Sequence, residues 1–278
     1  MRARLLIIAV CTVALLSASA SFGSEGQPLK IDWQNNDLTI RGENLPDGEI
    51  KVNYLEAYCR AGSTDADWGK HTKMKHRTVR LDDGQDETFI KLQCEVEDGL
   101  IVLHEIRSTH DEVDFRLLAT NPTDQRSEAH WAQPCIRLDK FTGCNQETYL
   151  SKSFVFLDGE LSRMPTQDWA TKARYTPGQV WAPQGVDRND VNPRPLSNLV
   201  PSNGLIGCFS ADDSMLFATA FEPYQELFQG VIVCLHADFR LGGVEPGETK
   251  SIRGKIYLLP NDVPALLNRY ERDFPEHQ

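Results

Sequence analysis

The sequence predicts an all-β fold, a large antiparallel sandwich followed by one short C-terminal helix. Three observations carry this. Short runs alternate apolar and polar residues, as in Val113-Asp114-Phe115-Arg116-Leu117, which is the two-residue period of a strand with one buried face. Turn signals punctuate these runs at Asp82-Asp83-Gly84, Glu97-Asp98-Gly99 and Pro246-Gly247-Glu248. Helical spacing emerges only at the end, where Val263, Leu266, Leu267, Tyr270 and Phe274 would share a face behind an Asn261 or Asp262 cap.

Taken in order, residues 1–20 are expected to be a secretory leader. Arg2 and Arg4 precede the apolar stretch Leu5 to Leu16, and Ala18-Ser19-Ala20 offers a small-residue cleavage site. Cys11 sits inside the apolar stretch, which favours plain secretion over a lipid anchor. The remainder, 21–278, is read as one domain that is secreted or periplasmic, and no later run is long and apolar enough to span a bilayer. Forty acidic against 29 basic residues give a net charge of −11. Such a surface repels phosphate backbones, so nucleic acid is excluded as a partner.

Strands are expected at Leu29 to Trp33, Leu38 to Ile40 and Ile50 to Tyr58, and again at Thr78 to Leu81, Phe89 to Val96 and Leu100 to Arg107 as an antiparallel meander. Asp82, Asp83 and Asp86 read as a solvated hairpin tip rather than a calcium loop. His104 and His110 read as strand and turn residues without a ligand role. The polar, glycine-bearing stretch Arg60 to Gly69 contains Trp68, whose ring suits a sugar face or a core plug.

The strand from Val113 to Ala119 leads into Asn121-Pro122-Thr123-Asp124, a turn in which proline fixes φ and Asn or Asp bonds its own backbone. A second strand is expected to follow, with Glu128, His130 and Ala132 on one face and Ala129, Trp131, Gln133 and Cys135 on the other. That arrangement would deliver a carboxylate and a histidine to one surface. Further strands are expected at Phe154 to Leu157, Leu205 to Ser210, Leu216 to Glu222, Gly230 to Leu235 and Ser251 to Leu259.

Between them, about 164–203, lies a proline-rich segment with Trp169, Tyr175, Trp181 and the run Asp187-Arg188-Asn189-Asp190. Long loops of this kind serve as binding loops or lids. Aromatic faces beside Asp, Asn and Arg are also what a carbohydrate needs.

Of seven cysteines, Cys59, Cys94, Cys135, Cys144, Cys208 and Cys234 follow the leader. An even count in a secreted chain permits disulfides, and Cys135 with Cys144 closes the shortest loop, but pairing is not readable from sequence. Cys94, Cys208 and Cys234 lie in apolar runs and read as buried thiols. Without a Cys-x-x-Cys spacing no zinc site is expected, and no cofactor. Phosphate-binding glycine loops, Gly-x-Ser-x-Gly elbows and His-Glu-x-x-His helices are absent from the sequence.

Three segments resemble the galactose mutarotase-like, or aldose 1-epimerase-like, sandwich. They are Phe115 to Trp131, with Asn121 at the turn and His130 before an aromatic; Phe221-Glu222-Pro223; and Val244-Glu245-Pro246-Gly247-Glu248 ahead of the last strand. The resemblance spans about Ile50 to Leu259, and the whole chain also looks like secreted bacterial proteins. It implies that His130 donates a proton to a sugar ring oxygen and that Glu222 accepts one from the anomeric hydroxyl. The chain departs from the pattern in lacking an upstream His-Gly-Gly segment and in carrying Trp-Ala-Gln-Pro after His130.

The sequence therefore supports a carbohydrate-binding or carbohydrate-active protein. His130 and Glu222 are its candidate catalytic pair, and Glu128, Arg137, Trp68, Arg60, Asp67, Trp181, Asp187, Arg188 and His236 are candidates for contact with the sugar. An alternative of another class is a non-catalytic envelope or extracellular interaction domain, with His130 in the core and Glu222 at a turn.

Overall fold

The computed structural model describes residues 26–62, 68–166, 179–192, 196–230 and 232–277. The expected leader, Asp67, Trp169 and Tyr175 lie outside the described residues. The first half of the chain supplies β1 (Lys30–Gln34), β2 (Asp37–Arg41), β3 (Glu49–Cys59), β4 (Lys73–Met74) and β5 (His76–Arg80). It continues with β6 (Phe89–Val96), β7 (Ile101–Ser108), β8 (Glu112–Thr120) and β9 (Trp131–Arg137). After the single turn of α1 (Asp139–Thr142) come β10 (Ser153–Leu157), β11 (Glu160–Arg163), β12 (Val180–Trp181) and β13 (Pro201–Phe209). The chain ends with β14 (Met215–Glu222), β15 (Tyr224–Gln229), β16 (Cys234–Arg240), β17 (Thr249–Pro260) and α2 (Val263–Asp273).

These strands form two sheets, and every pairing between them is antiparallel. The first runs β1-β2-β3-β9-β16-β15-β12, with β4 on the end of β3; the second runs β11-β10-β13-β14-β17-β8-β7-β6-β5. The all-β sandwich with a short C-terminal helix is thus the observed architecture, and the meander β5 to β8 pairs in sequence order as expected. No helix of the described residues is long and apolar enough to cross a membrane.

Residue parity explains the layering. Val113, Phe115, Leu117 and Ala119 of β8 turn into the core between the sheets, where they meet Ala132 and Ile136 of β9 and Leu235, Ala237 and Phe239 of β16. Gly254 of β17 pairs with Phe221 of β14 and lies beneath its ring. A Cβ there would fall 2.2 Å from a ring carbon, so only glycine fits. Leu216, Ala218 and Ala220 of β14 turn the other way and pack with Leu266, Tyr270 and Phe274 of α2. The helix therefore covers the outer face of the second sheet rather than one end or edge of the sandwich. Asp262 caps it by accepting from the Ala265 N–H at 2.9 Å.

Two expectations are corrected. The strand expected after Asn121 is to carry Glu128 and His130 beside Ala132, but β9 begins at Trp131, and it belongs to the first sheet while β8 belongs to the second. Asn121 carries the chain across: its Nδ2 donates to the Gln125 and Val244 carbonyls and its Oδ1 accepts from the Thr123 N–H. These bonds satisfy a fully buried amide in an irregular crossover, which leaves Glu128 and His130 ahead of β9 rather than within a strand. The strand expected at Gly230 to Leu235 is likewise displaced, because β15 ends at Gln229 and β16 starts at Cys234.

Candidate functional site

The outer face of the first sheet, turned away from the second sheet, carries an unusual density of polar groups. Trp131, Gln133 and Cys135 of β9 alternate onto it, while Ala132 and Ile136 enter the core. Cys234, His236, Asp238 and Arg240 do the same on β16, and Glu226 and Phe228 on β15.

Register turns this list into rows. Glu226 pairs with Asp238 and Phe228 with His236. The unshifted pairing of β16 with β9 sets His236 across from Cys135 and Asp238 across from Gln133, and Gln133 in turn pairs with Ala57 of β3. One row is therefore Ala57, Gln133, Asp238 and Glu226; the next is Cys135, His236 and Phe228.

A segment of the long loop lies on this face. The Asn192 N–H donates to Glu226 Oε2 at 2.8 Å, and the Gln225 side-chain amide donates to the Asp190 carbonyl. Asp190 also meets the His130 ring: Nδ1 stands 2.9 Å from Asp190 Oδ2. Arg240 completes the network through Asp190 Oδ2 at 3.4 Å and the Gln225 side-chain oxygen. A carboxylate on Nδ1 fixes that nitrogen as the donor and leaves Nε2 as the free face of the imidazole.

Beneath the loop the environment is strongly perturbed. Burial and the facing Asp238 push the Glu226 carboxyl well above its usual range. Burial lifts Asp238 to about 6, with His236 pulling the other way. Burial disfavours charge on His236, but Cys135 and Asp238 outweigh it and raise the imidazole. The neighbouring Cys234 thiol, together with burial, pushes the Cys135 thiol up. Two like acids held face to face out of water cannot both ionise, so the pair holds a proton at neutral pH.

Beside this cluster is a cleft of about 130 Å³, lined by Glu56, Ala57, Trp68, Lys73, Gln133, Cys135, Asn192, Phe228, Ile232, Cys234 and His236. Trp68 packs at a tilt on Trp131, ring centroids 5.9 Å apart, and together with Phe228 gives the cleft its aromatic lining. Among the described residues, the buried Gln133 Oε1 and Asn192 Oδ1 have no hydrogen-bond partner, nor do Glu226 Oε1 and both Asp238 oxygens. Buried amides and carboxylates are rarely left so, and each costs stability unless a bound group completes it. A larger groove of about 450 Å³ is lined by Glu49, Lys51, Arg137, Asp139, Lys140, Gln146, Ile232 and Val233. Its charges already pair with one another, as Lys140 with Glu49 at 3.2 Å, so it is the weaker candidate.

The residues singled out in the sequence scatter over this frame. Trp68 and His236 line the cleft; His130 is not among its lining residues and pairs with Asp190. Arg137 lines the other groove. Arg60 is engaged by Glu128 at 2.8 Å and Glu97 at 3.0 Å on the surface, so neither Arg60 nor Glu128 joins the cleft. Asp187 accepts from the Asn189 N–H and Arg188 donates to the Ser197 carbonyl; both brace the loop itself. Trp181 is fully buried in the core between the sheets, because its neighbour Val180 takes the outward position on β12.

Glu222 is not among the residues that line the cleft. Leu216, Ala218 and Ala220 of β14 turn toward α2, and burial first, with a smaller contribution from the Glu222 charge, raises the Tyr224 and Tyr270 hydroxyls. The Cys135 and Cys144 pairing is also not formed: all six described cysteines are free thiols, and Cys135 stands beside Cys234.

Sequence reasoning missed Gln133, Asp190, Asn192, Gln225, Glu226, Asp238 and Arg240. The signal was present in His236-Ala237-Asp238-Phe239-Arg240, which alternates polar with apolar as cleanly as β8 does.

No protein-family model and no curated protein sequence matches the chain. Solved structures do. The Slr1438 protein from Synechocystis sp. PCC 6803 is similar at 10% identity and a TM-score of 0.45, over 84% of this chain and 96% of that one. A galactose mutarotase related enzyme from Lactobacillus acidophilus is similar at 8% identity and a TM-score of 0.42, over 84% of this chain and 98% of that one. A galactose mutarotase-like protein from Lactobacillus casei ATCC 334 is similar at 8% identity and a TM-score of 0.34, over 83% of this chain and 99% of that one. These are low-identity likenesses of fold, and the reading of the site rests on its own residues.

Proposed function

We propose that the chain is a secreted carbohydrate-binding protein that takes a sugar in the cleft between Trp68 and Phe228. One observation carries the reading: an aromatic-walled cleft is lined by two buried amide oxygens, of Gln133 and Asn192, that lack partners. A pyranose offers an apolar ring face to Trp68 and hydroxyl donors to such oxygens. Glu56 and Lys73 add charged groups that hydroxyls also satisfy.

The finer reading is aldose-epimerase-like acid–base chemistry. His130 is the group suited to it, since Asp190 holds Nδ1 and presents Nε2 for proton exchange. Glu222 has no part in this reading. Saturation-transfer NMR of the protein against monosaccharides and oligosaccharides tests the binding. Anomer equilibration of any sugar that binds, followed by polarimetry with wild type and His130→Ala, tests the chemistry. A panel without saturation transfer would overturn the proposal; binding without accelerated equilibration would leave a non-catalytic sugar-binding domain.

A further inference from the structure

The three side chains that close the inner end of the cleft are all metal-ligand types. Cys135 and Cys234 offer thiols and His236 a ring nitrogen, and their donor atoms all lie within 4.8 Å of one another. Cys234 Sγ is 3.2 Å from His236 Nε2. A tetrahedral zinc site, with bonds of about 2.3 Å to sulfur and 2.0 Å to nitrogen, spaces its ligand atoms by roughly 3.5–3.8 Å.

We propose that Cys135, Cys234 and His236 form a binding site for a single zinc(II) ion, with its fourth position open to the cleft. Further features support this. All three residues are buried, which shields a metal–thiolate centre. Asp238 Oδ1 stands 3.6 Å behind His236 Nδ1, and neither Asp238 oxygen has a hydrogen-bond partner. A carboxylate behind the ring nitrogen that faces away from the ion is the usual support for a metal-bound histidine.

The rival use of two adjacent thiols is a disulfide. Cys135 lies across from His236, so Cys234 is its diagonal neighbour on the next strand. Diagonal Cα atoms are roughly 7–8 Å apart in an antiparallel pair, and a disulfide needs about 4.4–6.8 Å. Metal binding releases the thiol protons and bridges the larger gap.

The proposal does not depend on sugar binding, and its test contains no sugar. The protein is purified under reducing conditions, stripped with chelator and titrated with cobalt(II), which zinc(II) then displaces. One equivalent of cobalt with a thiolate-to-cobalt charge-transfer band is expected. Cys135→Ser and His236→Gln should abolish the band, Cys94→Ser should keep it, and Asp238→Asn should weaken the affinity about tenfold. Circular dichroism checks that each variant is folded. Wild type without the band, a band unchanged in folded Cys135→Ser and His236→Gln, or a Cys135 to Cys234 disulfide in protein isolated without reductant would each overturn the assignment.

Discussion

Glu226 and Asp238 stand directly opposite one another on β15 and β16, and neither exposes any surface. Two carboxyls in that position oppose folding, by lost hydration and by mutual repulsion. Glu226→Gln keeps an oxygen for the Asn192 N–H and adds a donor for the unpartnered Asp238 oxygens. The variant should be more stable than wild type in metal-free protein at neutral pH, by about 1–2 kcal/mol. A higher urea midpoint with an unchanged slope would bear this out; a lower midpoint would mean that the pair is held by interactions other than those described.

The cleft wall gives a second prediction. Trp68 is half-buried and rests on Trp131, so its removal deletes a sugar-facing ring without opening the core between the sheets. Trp68→Ala should weaken sugar affinity about tenfold with little change in thermal stability. Titration calorimetry against a sugar found by NMR measures the first, and a melting curve the second.

Glu222 supplies the converse. It ends β14, its charge reaches Tyr224 and Tyr270, and it is not among the residues that line the cleft. Glu222→Gln should leave sugar affinity within about twofold of wild type. Loss of binding in a variant with an unchanged melting temperature would restore Glu222 to the site.

The core holds a pH-dependent element of its own. His104 is fully buried; its Nδ1 meets the Tyr54 hydroxyl at 2.8 Å and its Nε2 the Tyr58 hydroxyl at 3.4 Å. Burial, with a contribution from His76, lowers its pKa from 6.5 to about 3. Between those values the unfolded chain binds a proton and the folded chain does not. Stability from this residue is therefore complete above pH 6.5, falls as pH drops toward 3, and amounts to at most roughly 5 kcal/mol. His104→Gln retains a hydrogen-bonding side chain and should flatten that acid limb in urea denaturation across pH. An unchanged slope would assign it to other groups.

What the sequence revealed and what it hid follow from the same rule. Strand parity made Val113, Phe115, Leu117 and Ala119 legible as a buried face, and the spacing of Leu266, Tyr270 and Phe274 made α2 legible. Trp68 and His236, picked out because polar and aromatic residues mix around them, both line the cleft. Sheet membership was not legible: nothing local to Asn121 tells whether the chain turns back or crosses to the other layer, because the deciding partner, the Val244 carbonyl, is distant in sequence. The place of Glu222 was hidden for a related reason, since the side it takes at the end of β14 depends on where Phe221 packs. The cysteine cluster joins Cys135 of β9 to Cys234 and His236 of β16, so no spacing motif announces it.

The cleft is assembled from two sources with different tolerance of change. Gln133, Cys135, His236 and Asp238 are fixed by paired strands, whereas Asp190 and Asn192 reach the face from the irregular chain after β12, a strand that holds the first sheet by only two residue pairs. The loop is consequently the exchangeable half. Grafting a different sequence between Ala182 and Leu196 would rewrite the upper wall and the partner of His130, while the strand-borne half kept its register.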